Sequence, residues 1–217
     1  MSMSAALSLA TEPSTSTGPS AFWYLTRGSG AVTLLLLSAT LVLGIVDVRR
    51  LSSPRWPRFV IDSLHRNVSL LAVLFLGVHI LTTVLDNFTS ISLMDAVVPF
   101  GASYRPFWLG LGALAFDLLI AVTLTSVLRR RLGHAVWRTT HWLAYGCWPI
   151  AVLHGLGTGS DLKTTWLASI NALCLVTVVA AVVVRLLTRK PLVEHERKRA
   201  PGAPGTPGLS SGVGHGA

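Results

Sequence analysis

The stretch HRNVSLLAVLFLGVH, which runs from His65 to His79, is an apolar segment with a histidine at each end. At ~100° per residue, the fourteen steps between these histidines turn a helix through ~1400°, about 40° short of four full turns. The helix rises ~21 Å over the same distance. Both imidazoles are therefore predicted on one face of a helix, near opposite surfaces of a hydrocarbon layer ~30 Å thick.

A second segment, VWRTTHWLAYGCWPIAVLHGLGTGSD over residues 136–161, carries His141 and His154. These two are thirteen residues apart, so a helix rises ~20 Å between them and the heights of the two histidine pairs match. Thirteen residues end ~140° short of four turns, so a straight helix does not place both rings on one face. Gly146 and Pro149 lie between them, where a kink would re-aim one ring.

Composition places the chain in a membrane, because 51% of its 217 residues are hydrophobic and only 12% are charged. The net charge of +9 comes from short basic clusters that form no continuous stripe, so no nucleic-acid partner is expected. An all-α integral membrane bundle of about five transmembrane helices follows, surrounded by the lipid bilayer. The predicted helices cover residues 22–46, 60–85, 107–128, 136–156 and 166–187.

Basic residues cluster after the first, third and fifth apolar runs. Under the positive-inside rule, this bias predicts an N-terminus outside and a C-terminus in the cytoplasm. Residues 1–20 are predicted to form a disordered extracytoplasmic tail, and residues 21–188 the transmembrane domain that carries the four histidines. Residues 189–217, which are basic and then rich in proline and glycine, are predicted to be a disordered cytoplasmic tail without room for a flavin or nicotinamide domain.

Four histidines in two membrane spans need partners, because polar side chains are costly in lipid. The second and fourth helices run in the same direction, so His65 meets His141 at an inner level and His79 meets His154 at an outer level. Each pair is predicted to bind the iron of one b-type haem from both axial sides. His134 is a spare candidate. The predicted cations for the haem propionates are Arg58, Arg66 and Arg138 on the inner side and Arg105, with Arg27 and Lys163, on the outer side.

With two such histidine pairs in two helices, the sequence resembles the ferric reductase and NADPH oxidase transmembrane superfamily. The resemblance covers about residues 22–188, and its most specific part is the double histidine pattern. Two further segments look like the short bacterial members of this superfamily, which lie in the plasma membrane. They are FWYLTRGSGAVTLLLL from Phe22 and YRPFWLGLGALAFDLLIAVTLTSVLRRRLG from Tyr104. The resemblance implies two stacked b haems. Larger members have six core helices and a cytosolic flavin and nicotinamide module, whereas five helices and no module are predicted here.

The leading hypothesis is a protein that transfers electrons from a cytoplasmic donor through two haems to an external acceptor such as ferric iron. The donor would be a separate flavoprotein or membrane quinol, so an oxidoreductase component without catalytic residues of its own is predicted. One alternative is a haem-binding, quinol-linked subunit of a periplasmic reductase system. Another is a haem-free transporter or assembly factor. Asp117, midway along the third helix, is either a hydrogen-bond partner of an axial histidine or a neutral acid bonded to Asn171 or a hydroxyl.

Overall fold

The computed structural model describes residues 20–48, 58–86, 91–158 and 165–187, and the described residues form helices and short connections. The predicted tails lie outside this range, apart from Ser20. The helices are α1 (Ala21–Val48), α2 (Arg58–Leu85), α3 (Leu93–Val97), α4 (Pro106–Val127), α5 (Arg129–Leu132), α6 (His134–His141), α7 (Ala144–Thr158) and α8 (Thr165–Leu187).

Helices α1 and α2 form an antiparallel pair. At the end of the pair where α1 begins, the Thr26 hydroxyl donates to the Thr82 hydroxyl over 3.0 Å, and the Ser20 hydroxyl donates to Asp86 Oδ1 over 3.0 Å. Hydroxyls inside α1 donate to the helix's own carbonyls one turn back, as Ser38 does to Leu34 over 2.7 Å. Small polar residues therefore enter this apolar helix without leaving an unpaired donor.

Helices α4 and α7 form a second antiparallel pair, in which the Cys147 thiol lies 3.2 Å from the Ala115 carbonyl oxygen. The predicted helix at 136–156 is divided into α6 and α7. The break lies at Trp142 and Leu143, whereas Pro149 sits inside α7. The expected kink at Gly146 and Pro149 is therefore replaced by a break nearer to His141.

The junction between α6 and α7 is wound more tightly than an α-helix. Four backbone bonds there span three residues: Trp142 to Thr139, Leu143 to Thr140, Tyr145 to Trp142 and Gly146 to Leu143. Such 3₁₀ turns advance ~120° per residue, about 20° more than an α-helix. A stretch of this length makes up most of the ~140° by which thirteen α-helical residues fall short of four turns. This local winding explains how His141 and His154 both face α2.

The buried core lies where α1, α7 and α8 meet. It is formed by Trp148, Val152, Cys174 and Val178, with leucines of α1 packed against it. The indole nitrogen of Trp148 donates to the Ser38 hydroxyl over 2.8 Å. The outer surface, by contrast, is apolar, and its large residues include Leu74 (61% exposed) and Val176 (66% exposed). An apolar exterior around a sparsely polar core is the pattern of a helical bundle surrounded by lipid.

Four helices in the described part of the chain, α1, α2, α4 and α8, are each long and apolar enough to cross a membrane. The predicted crossing at residues 136–156, the fourth of the five, is divided between α6 and α7. The exposed arginines of α5 lie between α4 and α6, at the end that the charge bias assigns to the cytoplasm. That orientation stays a prediction.

Candidate functional site

The four histidines meet as two pairs between α2 and the α6–α7 segment. The ring centroids of His65 and His141 are 6.2 Å apart, with an angle of 58° between the ring planes. Those of His79 and His154 are 6.4 Å apart, with an angle of 86°. We call the first the inner pair and the second the outer pair, after the predicted orientation. The pairing is the one that the histidine spacing predicts.

The separation of the rings fits one iron between each pair. An imidazole nitrogen binds a metal at about 2 Å and the ring centre lies about 1.2 Å behind it, so two rings on one metal have centroids roughly 6.4 Å apart. Two histidines are too few to hold a bare metal ion, and the described residues contain no cluster of three metal-binding side chains. A haem, whose macrocycle occupies the other iron positions, needs only these two axial ligands.

Hydrogen bonds to backbone carbonyls orient three of the four rings. Nδ1 lies 2.9 Å from the Thr26 carbonyl oxygen in His79, and 2.8 Å from the Trp108 carbonyl oxygen in His154. In His65, Nδ1 lies 3.1 Å from the carbonyl oxygen of Thr40. A carbonyl only accepts, so each of these Nδ1 atoms must carry the proton. The lone pair of Nε2 is therefore left for a metal, as in histidines that ligate metals.

Glycines on α1 and α4 lie against the same three rings. A β-carbon at Gly112 would lie 2.5 Å from Cε1 of His154, which is closer than real side chains approach. One at Gly30 would lie 3.0 Å from His79, and one at Gly44 would lie 3.4 Å from His65. The absence of a β-carbon at Gly112 and Gly30 lets each of these two rings reach a carbonyl on the neighbouring helix, whereas a β-carbon at Gly44 would make ordinary contact with His65.

A cavity of about 330 Å³ adjoins the outer pair. Its lining includes His79 and His154, both glycines opposite them, and Arg27. The volume falls in the range of small-molecule and cofactor sites, ~300 to 1,000 Å³. The guanidinium of Arg27 lies over the Trp23 ring at 4.4 Å from its centroid. The outer pair therefore has both space and a cation beside it.

The other predicted propionate partners have different surroundings. Arg105 Nη1 donates to the carbonyl of Gly157 over 2.8 Å, at the C-terminal end of α7, where a cation complements the helix dipole. Arg66 and Arg138 are exposed near the inner pair. The side chain of Arg58 and the whole of Lys163 lie outside the described residues. Of the arginines proposed for the outer level, Arg27 is thus the one that lines the cavity.

His134 and Asp117 stand apart from the two pairs. His134 is exposed, and its ring centroid lies 5.3 Å from that of Trp137. In the described part of the chain, Asp117 is hydrogen bonded neither to a histidine nor to Asn171, whose amide nitrogen donates to the Leu167 carbonyl. The backbone carbonyls that accept hydrogen bonds from Nδ1 of His65, His79 and His154, here called the carbonyl anchors, have the role that was one of the two predicted for Asp117.

The sequence interpretation missed the groups that orient the rings. The carbonyls of Thr26, Thr40 and Trp108 are backbone groups, which every residue has, so the sequence cannot single them out. The glycines can be recognised in the sequence, because Gly30 and Gly44 are fourteen residues apart, the same interval as His65 and His79. Two antiparallel helices with equal intervals bring each glycine opposite a histidine.

The chain is similar to known membrane proteins. The family described as "ferric reductase like transmembrane component" matches residues 28–157, more than half of the chain and including all four paired histidines. The chain is also similar to the "protein-methionine-sulfoxide reductase heme-binding subunit MsrQ" of Herminiimonas arsenicoxydans, with 34% identity over 136 residues. The matched region covers 60% of this chain and 56% of that relative. No solved structure matches the chain.

Proposed function

Because this chain belongs to the family of ferric reductase like transmembrane components, we propose that it is a multi-pass membrane protein that transfers electrons through two b-type haems. One haem lies between His65 and His141, and the other between His79 and His154. Electrons pass from a cytoplasmic donor, a separate flavoprotein or a membrane quinol, to an acceptor on the outer side such as ferric iron. The chain spans about half of the length of the MsrQ relative.

One observation carries the proposal: two imidazole pairs have centroid separations of 6.2 and 6.4 Å, the spacing expected across a single iron. The name of the MsrQ relative, a heme-binding subunit, supports haem as the group that supplies this iron. The ~21 Å rise between His65 and His79 separates two levels along one helix. Two levels on one bundle are what electron transfer across a membrane requires.

A haem held by these histidines would supply one-electron exchange between ferric and ferrous iron. The residues of this chain would hold and orient it. The Nδ1–H bonds of His79 and His154 to backbone carbonyls fix the ring planes, and they leave Nε2 for the iron. Arg27, beside the outer pair, would neutralise a haem propionate there.

The direction of transfer is tested in sealed proteoliposomes that contain the purified protein in one orientation. A flavin reductase with its nicotinamide substrate is supplied on the arginine-rich side, and a ferric chelate on the other. Reduction of the chelate should require both haems, so His65→Ala and His79→Ala should each abolish it. Undiminished reduction by both variants would contradict transfer through the two pairs.

A second candidate is favoured by the name of the MsrQ relative, which is a subunit of a protein-methionine-sulfoxide reductase. In this version the donor is membrane quinol and the acceptor is a periplasmic reductase. The two candidates share the haem sites and differ in donor and acceptor. Rapid reduction of the haems by a quinol, with none by a flavin reductase, would favour the second candidate, and reduction by a flavin reductase alone would exclude it.

A further inference from the structure

Three of the four paired histidines share one arrangement on the neighbouring helix. Each ring lies against a backbone carbonyl, and a glycine follows four residues later on the same helix. The carbonyl and glycine are Thr26 and Gly30 for His79, Thr40 and Gly44 for His65, and Trp108 and Gly112 for His154.

The glycine has a geometric reason. In an α-helix the carbonyl of residue i accepts the N–H of residue i+4, so the side chain at i+4 lies beside that oxygen. A ring that donates a second hydrogen bond to the oxygen must pass close to this position. At Gly112 a β-carbon would lie 2.5 Å from Cε1 of His154, so any other residue would push the ring away.

The helix register identifies the corresponding position for His141. On α1 the two anchoring carbonyls are fourteen residues apart, at Thr26 and Thr40. The same interval on α4 leads from Trp108 to Val122. The residue four positions later is Ser126, so at this fourth position a serine stands where the other three have glycine.

The Val122 carbonyl accepts hydroxyl hydrogen bonds from Ser126 over 2.7 Å and from Thr125 over 3.1 Å. The Ser126 hydroxyl, whose bond is the shorter, also accepts a hydrogen bond from Trp137 Nε1 over 3.3 Å. Nδ1 of His141 is buried and has no hydrogen-bond partner among the described residues. The Ser126 hydroxyl thus competes for the carbonyl that the register assigns to His141, and its β-carbon stands at the position where the other three sites have glycine.

His141 is held from its own helix instead. The Trp137 ring stacks on it, with centroids 5.2 Å apart and an interplanar angle of 30°. The guanidinium of Arg129 lies 5.1 Å from the centroid of the same indole. The ring is therefore positioned by stacking. It lacks the Nδ1 hydrogen bond that would make the imidazole a stronger electron donor to a metal.

We propose that Ser126 is a positioning residue that makes the two haem sites electronically unequal, by denying His141 the carbonyl anchor that the other three ligands have. This rests on the proposed function. A hydrogen bond from Nδ1 to a carbonyl makes an imidazole a stronger electron donor to its metal, and a stronger donor favours ferric over ferrous iron. His141 is thus the weakest donor of the four, and it raises the potential of the inner haem.

The test is a redox titration of the purified, haem-loaded protein, with the inner midpoint assigned from a His65→Ala variant. Ser126→Gly removes the shorter of the two hydroxyl bonds to the Val122 carbonyl, together with the β-carbon, so the inner midpoint should shift downward while the outer one stays in place. Ser126→Ala is the matched control. It removes the hydroxyl and its bond to Trp137 but keeps the β-carbon, so its inner midpoint should stay close to that of the wild type.

A second variant tests the same relationship in the opposite direction. Gly44→Ser places a serine beside the anchor of His65, where a β-carbon would make ordinary contact at 3.4 Å. Its hydroxyl would occupy the Thr40 carbonyl, so the inner midpoint should shift upward. If Ser126→Gly matches Ser126→Ala and Gly44→Ser shifts nothing while both haems are bound, this inference is wrong and the proposed function stands. A wild-type protein without haem would overturn both.

Discussion

Gly112 lies directly against the imidazole of His154: a β-carbon at position 112 would approach Cε1 of the ring to 2.5 Å. We therefore expect Gly112→Ala to displace the ring from the Trp108 carbonyl and to weaken outer haem binding. Overpacking of this kind costs about 1–3 kcal/mol in a packed interior. Haem per chain, measured after purification in detergent, should fall toward one while the inner haem is kept.

The other glycines provide a graded series for the same experiment. Gly30→Ala, where the approach to His79 would be 3.0 Å, should cause a smaller loss of outer haem. Gly28→Ala on the same helix is the control, because a β-carbon there meets nothing within 4 Å. Equal haem content in all three variants would show that the glycines do not shape the site.

Substitution of a paired histidine should reduce haem content, whereas substitution of His134 should not. His141→Ala should remove the inner haem, since the remaining imidazole of His65 provides only one axial ligand. His134→Ala should retain both haems, because His134 is exposed and lies outside the two pairs. The variants are compared by haem content and by the electron paramagnetic resonance of the ferric protein. Loss of haem from His134→Ala, with none from His141→Ala, would transfer the ligand role to His134.

The pairing of the histidines follows from the sequence because it depends on helix rise alone. Intervals of fourteen and thirteen residues give matched heights, whatever the details of side-chain packing. The rotation of His141 relative to His154 was not predictable in the same way. This rotation depends on the 3₁₀ winding around Trp142 and Leu143. Neither position is a proline or glycine, so the sequence gives no signal for a break there.

The groups around the rings were harder to predict than the rings themselves. Arg105 carries a charge suited to a propionate, but the structure directs it to the end of α7, where unpaired carbonyls attract a cation. Which carbonyl orients each ring depends on which helix packs beside it, and a single sequence does not show which helices are neighbours. The interval between Gly30 and Gly44 gives that information once α1 and α2 are known to be antiparallel.

Asp117 should have no effect on the haems. In the described part of the chain it is hydrogen bonded to none of the paired histidines, three of which are anchored by carbonyls. Asp117→Asn should therefore leave both midpoint potentials unchanged in a redox titration. A shift of either midpoint, with the haem content intact, would restore the carboxylate as a partner of an axial ligand.

The contact between Trp148 and Ser38 should contribute to stability and not to haem binding. Ser38→Ala leaves the buried indole N–H without a partner, which costs about 1–3 kcal/mol. In a Trp148→Phe background the same serine substitution should cost much less, because no donor is left unpaired. Thermal unfolding in detergent measures all four proteins of this cycle. Equal costs in the two backgrounds would show that the contact is not coupled.

The most direct test is the visible spectrum of the purified wild-type protein, oxidised and then reduced, together with its haem content per chain. Four imidazoles in two pairs predict a reducible b-type spectrum and close to two haems per chain. A colourless protein, purified intact from membranes of cells supplied with haem, would contradict the haem sites and would favour a haem-free transporter or assembly factor.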